Sequence, residues 1–129
     1  MSCIHLILVC ALVDRTFYFA ESLQWTQPVV NGVRPNACLG HSATLVPKTN
    51  QVIVFGGWDD NLQPRSDVFI LDTETYSWTK PDTKGSPPPR RAWHTAVYAE
   101  SLDAVLVFGG RGVSDHCFND VHVLSLGMC

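Results

Sequence analysis

The chain has 129 residues, of which 46% are hydrophobic and 16% charged, a composition typical of one globular domain rather than of a disordered segment. Its formal net charge is −3, so it lacks the concentrated positive charge of a nucleic-acid-binding domain, and no nucleic-acid partner is expected. The five cysteines include no C-x-x-C pair and cannot all pair with one another, which favours free thiols and a cytoplasmic location.

The chain opens with an apolar segment, residues 1–13, which is too short to cross a membrane as a helix. Its role stays open between a signal peptide, a buried strand and a divergent start. A signal peptide is disfavoured because no positive charge precedes the apolar run, and Val9-Cys10-Ala11 is a poor cleavage site. No membrane span is predicted.

Short strands dominate the middle of the chain and no ten-residue window has helical periodicity. The residue pattern predicts strands at 41–46, 51–55, 67–71 and 76–80. Turn-forming residues separate them, among them the glycine pair Gly56-Gly57 after the second strand. The second strand and its copy at 104–108 are almost wholly apolar, as expected of strands that are covered on both faces.

The chain repeats itself with an offset of 53 residues and no gap. Trp25 recurs as Trp78, His41 as His94, and the Phe-Gly-Gly triplet at 55–57 as that at 108–110. A repeat of this length is one supersecondary unit that stacks on its neighbours. Residues that recur are therefore predicted to be scaffold, and function is expected in what differs between the copies.

Four antiparallel strands with a glycine pair after the second resemble the blade of a β-propeller. The order of motifs resembles the Kelch family over residues 14–126. The motifs are Gly40-His41-Ser42, the two Phe-Gly-Gly triplets, the segment 66–72, Tyr76-Ser77-Trp78 and Pro89-x-Arg91-x-x-His94. The resemblance implies an all-β fold, a Kelch-type β-propeller fragment of about two to two-and-a-half four-stranded antiparallel blades.

The period divides the chain into four parts. Residues 1–13 form the apolar segment, 14–37 the end of a partial blade with a connector, 38–81 a complete blade, and 82–129 a connector with an incomplete blade. Propellers close with roughly 4 to 8 blades, so this chain is not expected to close one alone. Open strand edges at both ends predict self-association.

Recurring residues are predicted to have structural roles. We expect positive φ at the glycines, tryptophans on outer strands between blades, histidines bonded to turn backbone, and aspartates that accept backbone N–H groups. Arg91 is a further polar anchor, and its place in the preceding repeat is taken by Cys38. The structural set is Trp25, His41, Gly56, Gly57, Asp67, Trp78, Arg91, His94, Gly109, Gly110 and Asp120.

The loops at 58–66 and 111–119 have the same length and unrelated sequences. Loops of this kind can change without disturbing a packed core, and several of their residue types commonly anchor interfaces. The predicted partner-binding residues are Trp58, Asp59, Asp60, Arg65, Arg111, Asp115, His116 and Phe118. The alternative is an ordinary solvated loop. The proline-rich connector at 81–91 is read as a stiff spacer rather than as a site for an acidic partner.

Enzyme signatures are weak. His116, Cys117 and His122 lack a fourth ligand at zinc spacing, Asp59-Asp60-Asn61 lacks the rest of a calcium loop, and no G-x-S-x-G elbow occurs. No catalytic residue, metal or cofactor is expected. The sequence predicts a non-catalytic protein–protein interaction module, built as an adaptor or scaffold. The alternative is a fragment of a secreted or galactose-oxidase-like propeller enzyme.

Overall fold

The computed structural model describes residues 25–36 and 38–127, and within these ranges the protein is all-β with no α-helix. The strands form a five-stranded sheet in the order β1-β5-β4-β3-β2 and a three-stranded sheet in the order β6-β7-β8. They are β1 (Asn31–Gly32), β2 (Ser42–Val46), β3 (Gln51–Phe55), β4 (Val68–Asp72), β5 (Ser77–Thr79), β6 (Thr95–Ala99), β7 (Ala104–Phe108) and β8 (Val121–Ser125). The all-β, propeller-fragment prediction is confirmed.

Strands β2 to β5 form a complete four-stranded antiparallel blade. Each lies within one residue of the strand that the sequence predicts, because apolar and β-branched residues fill them and turn residues separate them. The two-residue strand β1 was not predicted. It pairs in parallel with β5, with Gly32 opposite Trp78.

Strands β6 to β8 repeat β2 to β4 one period later. A 3₁₀ turn follows the first strand in both blades, at Pro47–Thr49 and at Glu100–Leu102. Each turn ends in a left-handed residue, Asn50 with φ 52° and Asp103 with φ 47°. Asparagine and aspartate tolerate this conformation better than most residues, so different sequences make the same turn.

The hydrophobic core lies between the two blades. Its buried members are Val46, Ile53, Phe55, Val105 and Val107. Three of these belong to the complete blade and two to β7 of the next, so each blade buries its apolar face against the other, as stacked repeats must.

Residues 1–24, which contain the apolar segment and most of the predicted partial blade, lie outside the described residues. In the part of the chain that the structure covers, no helix is both long enough and apolar enough to cross a membrane.

Candidate functional site

The two variable loops follow β3 and β7 and share one backbone conformation. The Trp58 N–H donates to the Leu39 carbonyl at 2.8 Å, and the Leu39 N–H donates back at 3.0 Å. Arg111 and Ala92 make the same exchange at 2.8 and 2.9 Å. The two loops therefore have the same length and the same backbone hydrogen bonds, but they carry different side chains. We call this shared backbone arrangement the loop frame.

A glycine at the start of each loop makes this frame possible. Gly57 has φ 94° and Gly110 has φ 98°. A Cβ on Gly57 would lie 2.9 Å from the Cβ of His41, and one on Gly110 would lie 2.8 Å from the carbonyl oxygen of Ala92. Both positions therefore require glycine for conformation and for space.

Two tryptophans meet beside the first loop. The ring centroids of Trp58 and Trp93 lie 5.2 Å apart with an interplanar angle of 48°. The Trp93 indole also covers Gly40, where a Cβ would lie 3.0 Å from its Nε1. Trp93 is 51% exposed and Leu39 is 55% exposed. We call Leu39, Gly40, Trp58 and Trp93 the tryptophan patch.

Trp93 has an unfavourable backbone conformation. Its φ is +53°, a region that bulky side chains rarely enter. The equivalent residue one repeat earlier is Gly40, with φ 69°. The Trp93 N–H donates to the Gly40 carbonyl at 2.7 Å, which helps to hold this geometry. A tryptophan thus stands where the repeat favours glycine, at a cost of about 1–3 kcal/mol.

Trp93 is not among the predicted partner-binding residues, because it lies outside the two variable loops at 58–66 and 111–119. The informative signal was present in the repeat: Trp93 replaces a glycine inside the otherwise matching segment around His94. Only the structure brings it next to Trp58.

Asp59 lies inside the first loop rather than on its surface. It is 7% exposed, and one carboxylate oxygen accepts the N–H groups of Asn61 at 3.0 Å and Gln63 at 2.9 Å. Arg65 donates to its other oxygen at 3.3 Å. Asp59 therefore has a role in folding the loop, and its role in partner binding stays a prediction. Asp60 beside it is exposed.

The second loop carries its own contacts. Arg111 and Asp115 form an exposed ion pair at 2.9 Å. His116 packs edge-on against Phe118, with centroids 4.9 Å apart. The Phe118 ring in turn lies 4.1 Å from the guanidinium carbon of Arg91, so this side chain covers an internal charge as well as facing the loop.

Arg91 is the buried anchor of the second blade. It is fully buried, and its terminal nitrogens donate to both oxygens of Asp120 at 2.6 and 2.9 Å and to the Gly109 carbonyl at 2.9 Å. The Arg91 hydrogen bond holds the pKa of Asp120 well below its usual range. Asp120 was expected to accept backbone N–H groups, and the observed acceptor role toward a guanidinium corrects that expectation.

In the complete blade the equivalent aspartate is Asp67. Lys80 donates to it at 2.7 Å and Arg65 at 3.0 Å, and these contacts, with that from Lys80 foremost, lower its pKa. Asp67 thus also binds cationic side chains rather than backbone N–H groups. Its own backbone carbonyl accepts the Gly56 N–H at 3.1 Å.

His94 joins the two blades. Its Nε2 lies 2.8 Å from the Ser42 hydroxyl oxygen, so its partner is a side chain of the preceding blade and not the turn backbone that the sequence analysis expected. Burial, with a contribution from the charge of Arg91, lowers the pKa of His94 to about 4. His41, one repeat earlier, is exposed, and its Nδ1 lies 3.4 Å from the Cys38 sulfur.

Comparison with known families agrees with this geometry. The KLHDC2/KLHL20/DRC7 Kelch-repeats domain matches residues 11–128. The chain belongs to the Kelch-repeat family.

Curated Kelch-repeat relatives are much longer than this chain. Acyl-CoA-binding domain-containing protein 5 of Arabidopsis thaliana is 41% identical over 79% of the chain and 15% of its own length. Human Kelch domain-containing protein 3 is 40% identical over 68% of the chain and 22% of its own length. The mouse Rab9 effector protein with kelch motifs is 34% identical over 78% of the chain and 26% of its own length. The chain thus spans about a quarter or less of each of these relatives.

The two Kelch-repeat tryptophans differ in their surroundings. Trp78 is half-buried on β5, paired with Leu71 of β4 and with Gly32 of β1. Trp25 is 91% exposed and lies outside any strand, so the expected position on an outer strand between blades is not seen for it. The residues that would pair with it as a neighbouring strand precede position 25 and lie outside the described residues.

The side chains that could bind a metal ion do not cluster among the described residues. Residues 25–36 and 38–127 hold no group of three or more His, Cys, Asp or Glu side chains placed to bind one ion. His122 lies 3.0 Å from an oxygen of Asp120, and Cys117 is exposed near the backbone of Asp115.

Proposed function

We propose that this Kelch-repeat chain is a non-catalytic protein-interaction module whose tryptophan patch receives an apolar or aromatic side chain of a partner protein. The observation that carries the proposal is the left-handed backbone of Trp93, a bulky residue that keeps half of its surface exposed. Strained residues that persist are concentrated at functional sites, where the surrounding structure holds them in place.

The residue types in the patch support binding. Tryptophan is among the residues that contribute most to protein interfaces, because it combines a large rigid apolar surface with one N–H donor. The Trp58 Nε1 is buried without a hydrogen-bond partner, so the patch presents its apolar surface outward. The adjacent exposed side chain of Leu39 widens that surface.

The second loop lies next to the tryptophan patch along the chain's own backbone pairing, because Arg111 pairs with Ala92, the neighbour of Trp93. Arg111 occupies the place of Trp58 one repeat later and makes the same backbone bonds. Its guanidinium is partly exposed beside Asp115. We propose that Arg111 and His116 contribute polar contacts at the rim of the surface, where exposed charges direct orientation more than affinity.

The names of two relatives describe protein partners or assemblies. The name of the mouse relative describes a Rab9 effector, and a further relative is named dynein regulatory complex subunit 7. Among the described cysteines, Cys38 and Cys117 are free thiols, which supports a cytoplasmic site of action. The partner that we propose is therefore an exposed protein segment with an apolar or aromatic anchor.

A substitution at Trp93 tests the proposal. Trp93→Gly restores the residue found at the equivalent Gly40, which relieves backbone strain of about 1–3 kcal/mol and removes a ring contact of about 0.5–1.5 kcal/mol. We therefore expect the variant to keep the wild-type melting temperature or exceed it. Peptides selected by phage display against the wild-type chain should bind the variant at least tenfold more weakly in a fluorescence titration.

Asp60→Ala is the matched control, since Asp60 is exposed in the first loop and has no part in the tryptophan patch. It should bind the selected peptides like wild type. Peptides that bind Trp93→Gly with unchanged affinity would refute the proposed site. A large fall in the melting temperature of Trp93→Gly would show instead that Trp93 is a packing residue.

A further inference from the structure

A small cavity lies between the two blades. It has a volume of about 70 Å³. The complete blade contributes Ser42 and Thr44 of β2 to its lining, and the next blade contributes Val105 and Val107 of β7. Both valines are buried members of the hydrophobic core. This end of the cavity therefore belongs to the interface between the two blades.

Thr44 brings a hydroxyl group to the cavity lining that has no protein partner. The residue is 8% exposed, and its Oγ1 is buried and forms no hydrogen bond with any residue of 25–36 and 38–127. Buried hydroxyl groups nearly always have a partner, which is either a protein group or an ordered water molecule. Because this hydroxyl belongs to a residue that lines a cavity, a water molecule in that cavity is the partner within its reach.

The repeat shows that the shape of this position does not require threonine. Thr44 corresponds to Val97 at the offset of 53 residues, and each is the third residue of the first strand of its blade. Valine and threonine have almost the same shape, but only threonine carries a hydroxyl group. The hydroxyl of Thr44 is therefore an addition to a strand that also folds with valine at this place.

The size and the chemistry of the cavity fit water. One water molecule takes about 30 Å³ in the liquid, so the cavity has room for about two. A buried water needs at least two polar partners. Ser42 and Thr44 are two residues apart in β2, so their side chains lie on the same face of the strand, and both line the cavity. Two hydroxyl groups are thus available to one water.

Ser42 also connects this place to the next blade. Its hydroxyl oxygen lies 2.8 Å from Nε2 of His94. A hydroxyl group has one proton to donate and two lone pairs that accept. Ser42 can therefore bond to His94 and to a water at the same time, whichever of the two residues donates in their own hydrogen bond.

We propose that a water molecule resides in this cavity and bridges the hydroxyl groups of Thr44 and Ser42. The hydrogen bonds then run from Thr44 through the water to Ser42, and from Ser42 to His94 of the next blade. The water supplies the missing partner of Thr44 and becomes part of the contact between the blades. This site is separate from the tryptophan patch, and its test does not depend on partner binding.

Nuclear magnetic resonance of the wild-type chain tests the proposal without any variant. Rotating-frame Overhauser effects should connect water with the methyl groups of Val105 and Val107, which line the cavity. Val46 is the matched control in the same spectrum. It is 1% exposed and lies on the same face of β2 as Thr44, but it is not part of the cavity lining. Effects at Val105 and Val107 that are no stronger than at Val46 would overturn the proposal.

Two substitutions at Thr44 test whether its hydroxyl group holds the water. Thr44→Val has the side chain of the equivalent Val97 and should lose the effects at Val105 and Val107, whereas Thr44→Ser keeps a hydroxyl group and should retain them. Relaxation dispersion of water ¹⁷O, which counts long-lived water molecules, should show at least one fewer per chain in Thr44→Val than in Thr44→Ser. Equal counts in the two variants would refute the proposal, because the water would then not depend on Thr44.

Discussion

Arg65 donates to Asp67 at 3.0 Å, and this contact replaces one that the next repeat makes from a different position. There Arg91 binds Asp120 through both of its terminal nitrogens. The residue equivalent to Arg91 in the earlier repeat is Cys38, which cannot neutralise an aspartate. The aspartate at the start of the third strand keeps an arginine partner in both blades, although the arginine comes from two different places.

This relationship predicts unequal effects of removing the two arginines. Arg91 is fully buried, so Arg91→Ala removes the donor to the Gly109 carbonyl and leaves Asp120 with His122 alone, and it should lower the free energy of unfolding by about 3 kcal/mol. The Arg65 side chain is 42% exposed and Lys80 remains on Asp67, so Arg65→Ala should cost about 1 kcal/mol or less. Urea unfolding of the two variants measures the difference, and equal losses would contradict it.

His94 predicts a pH dependence of stability. Burial lowers its pKa to about 4, below the model-peptide value of 6.5, so between these values the unfolded chain binds a proton that the folded chain does not. Stability should therefore be complete above about pH 6.5 and fall as the pH drops toward 4, with a slope approaching about 1.4 kcal/mol per pH unit. Unfolding at several pH values measures this slope. His94→Gln keeps an N–H donor near Ser42 and should flatten the profile over this range; an unchanged profile would assign the dependence to another group.

Much of the fold was predictable because its signals are local. Strands β3 and β7 are almost continuous β-branched and aromatic runs, and the glycine pairs after them have the positive φ that their neighbours require. The 53-residue repeat then predicts the same strands in the next blade. Strand β1 escaped prediction because its two residues pair through backbone alone, and its partner β5 lies far along the chain.

The candidate site was only partly predictable, because side-chain direction depends on tertiary contacts. The sequence places Asp59 and Asp60 in one loop, but only the fold shows that Asp59 points inward and Asp60 outward. Likewise, the recurrence of His94 indicates a structural role, whereas its partner Ser42 belongs to the neighbouring blade. The sequence of one repeat does not show which residues it contacts in the neighbouring blade.

Gly110 predicts a separate test of backbone geometry. Its φ is 98°, and an added Cβ would lie 2.8 Å from both the Ala92 carbonyl oxygen and the His94 Cβ. Gly110→Ala should therefore lose about 1–2 kcal/mol from the left-handed conformation and about 1–3 kcal/mol more from crowding. Gly85→Ala isolates the conformational part, because no atom lies within 4 Å of its added Cβ. If thermal unfolding gives the same loss for both, close approach at Gly110 is unimportant.

Asp59 and Asp60 form a matched pair for testing how the first loop is built. The Asp59 carboxylate accepts the backbone N–H groups of Asn61 and Gln63, so Asp59→Ala removes charge-assisted bonds from a buried position. We expect a loss of about 1–3 kcal/mol in the free energy of unfolding, while Asp60→Ala should stay within about 0.5 kcal/mol of wild type. Urea titration followed by tryptophan fluorescence measures both, and it also reports on Trp58 at the start of the loop. Because the Asp59 bonds shape the loop that carries Trp58, Asp59→Ala should in addition weaken peptide binding at the tryptophan patch. Equal stabilities of the two variants would show that the loop keeps its shape without these hydrogen bonds.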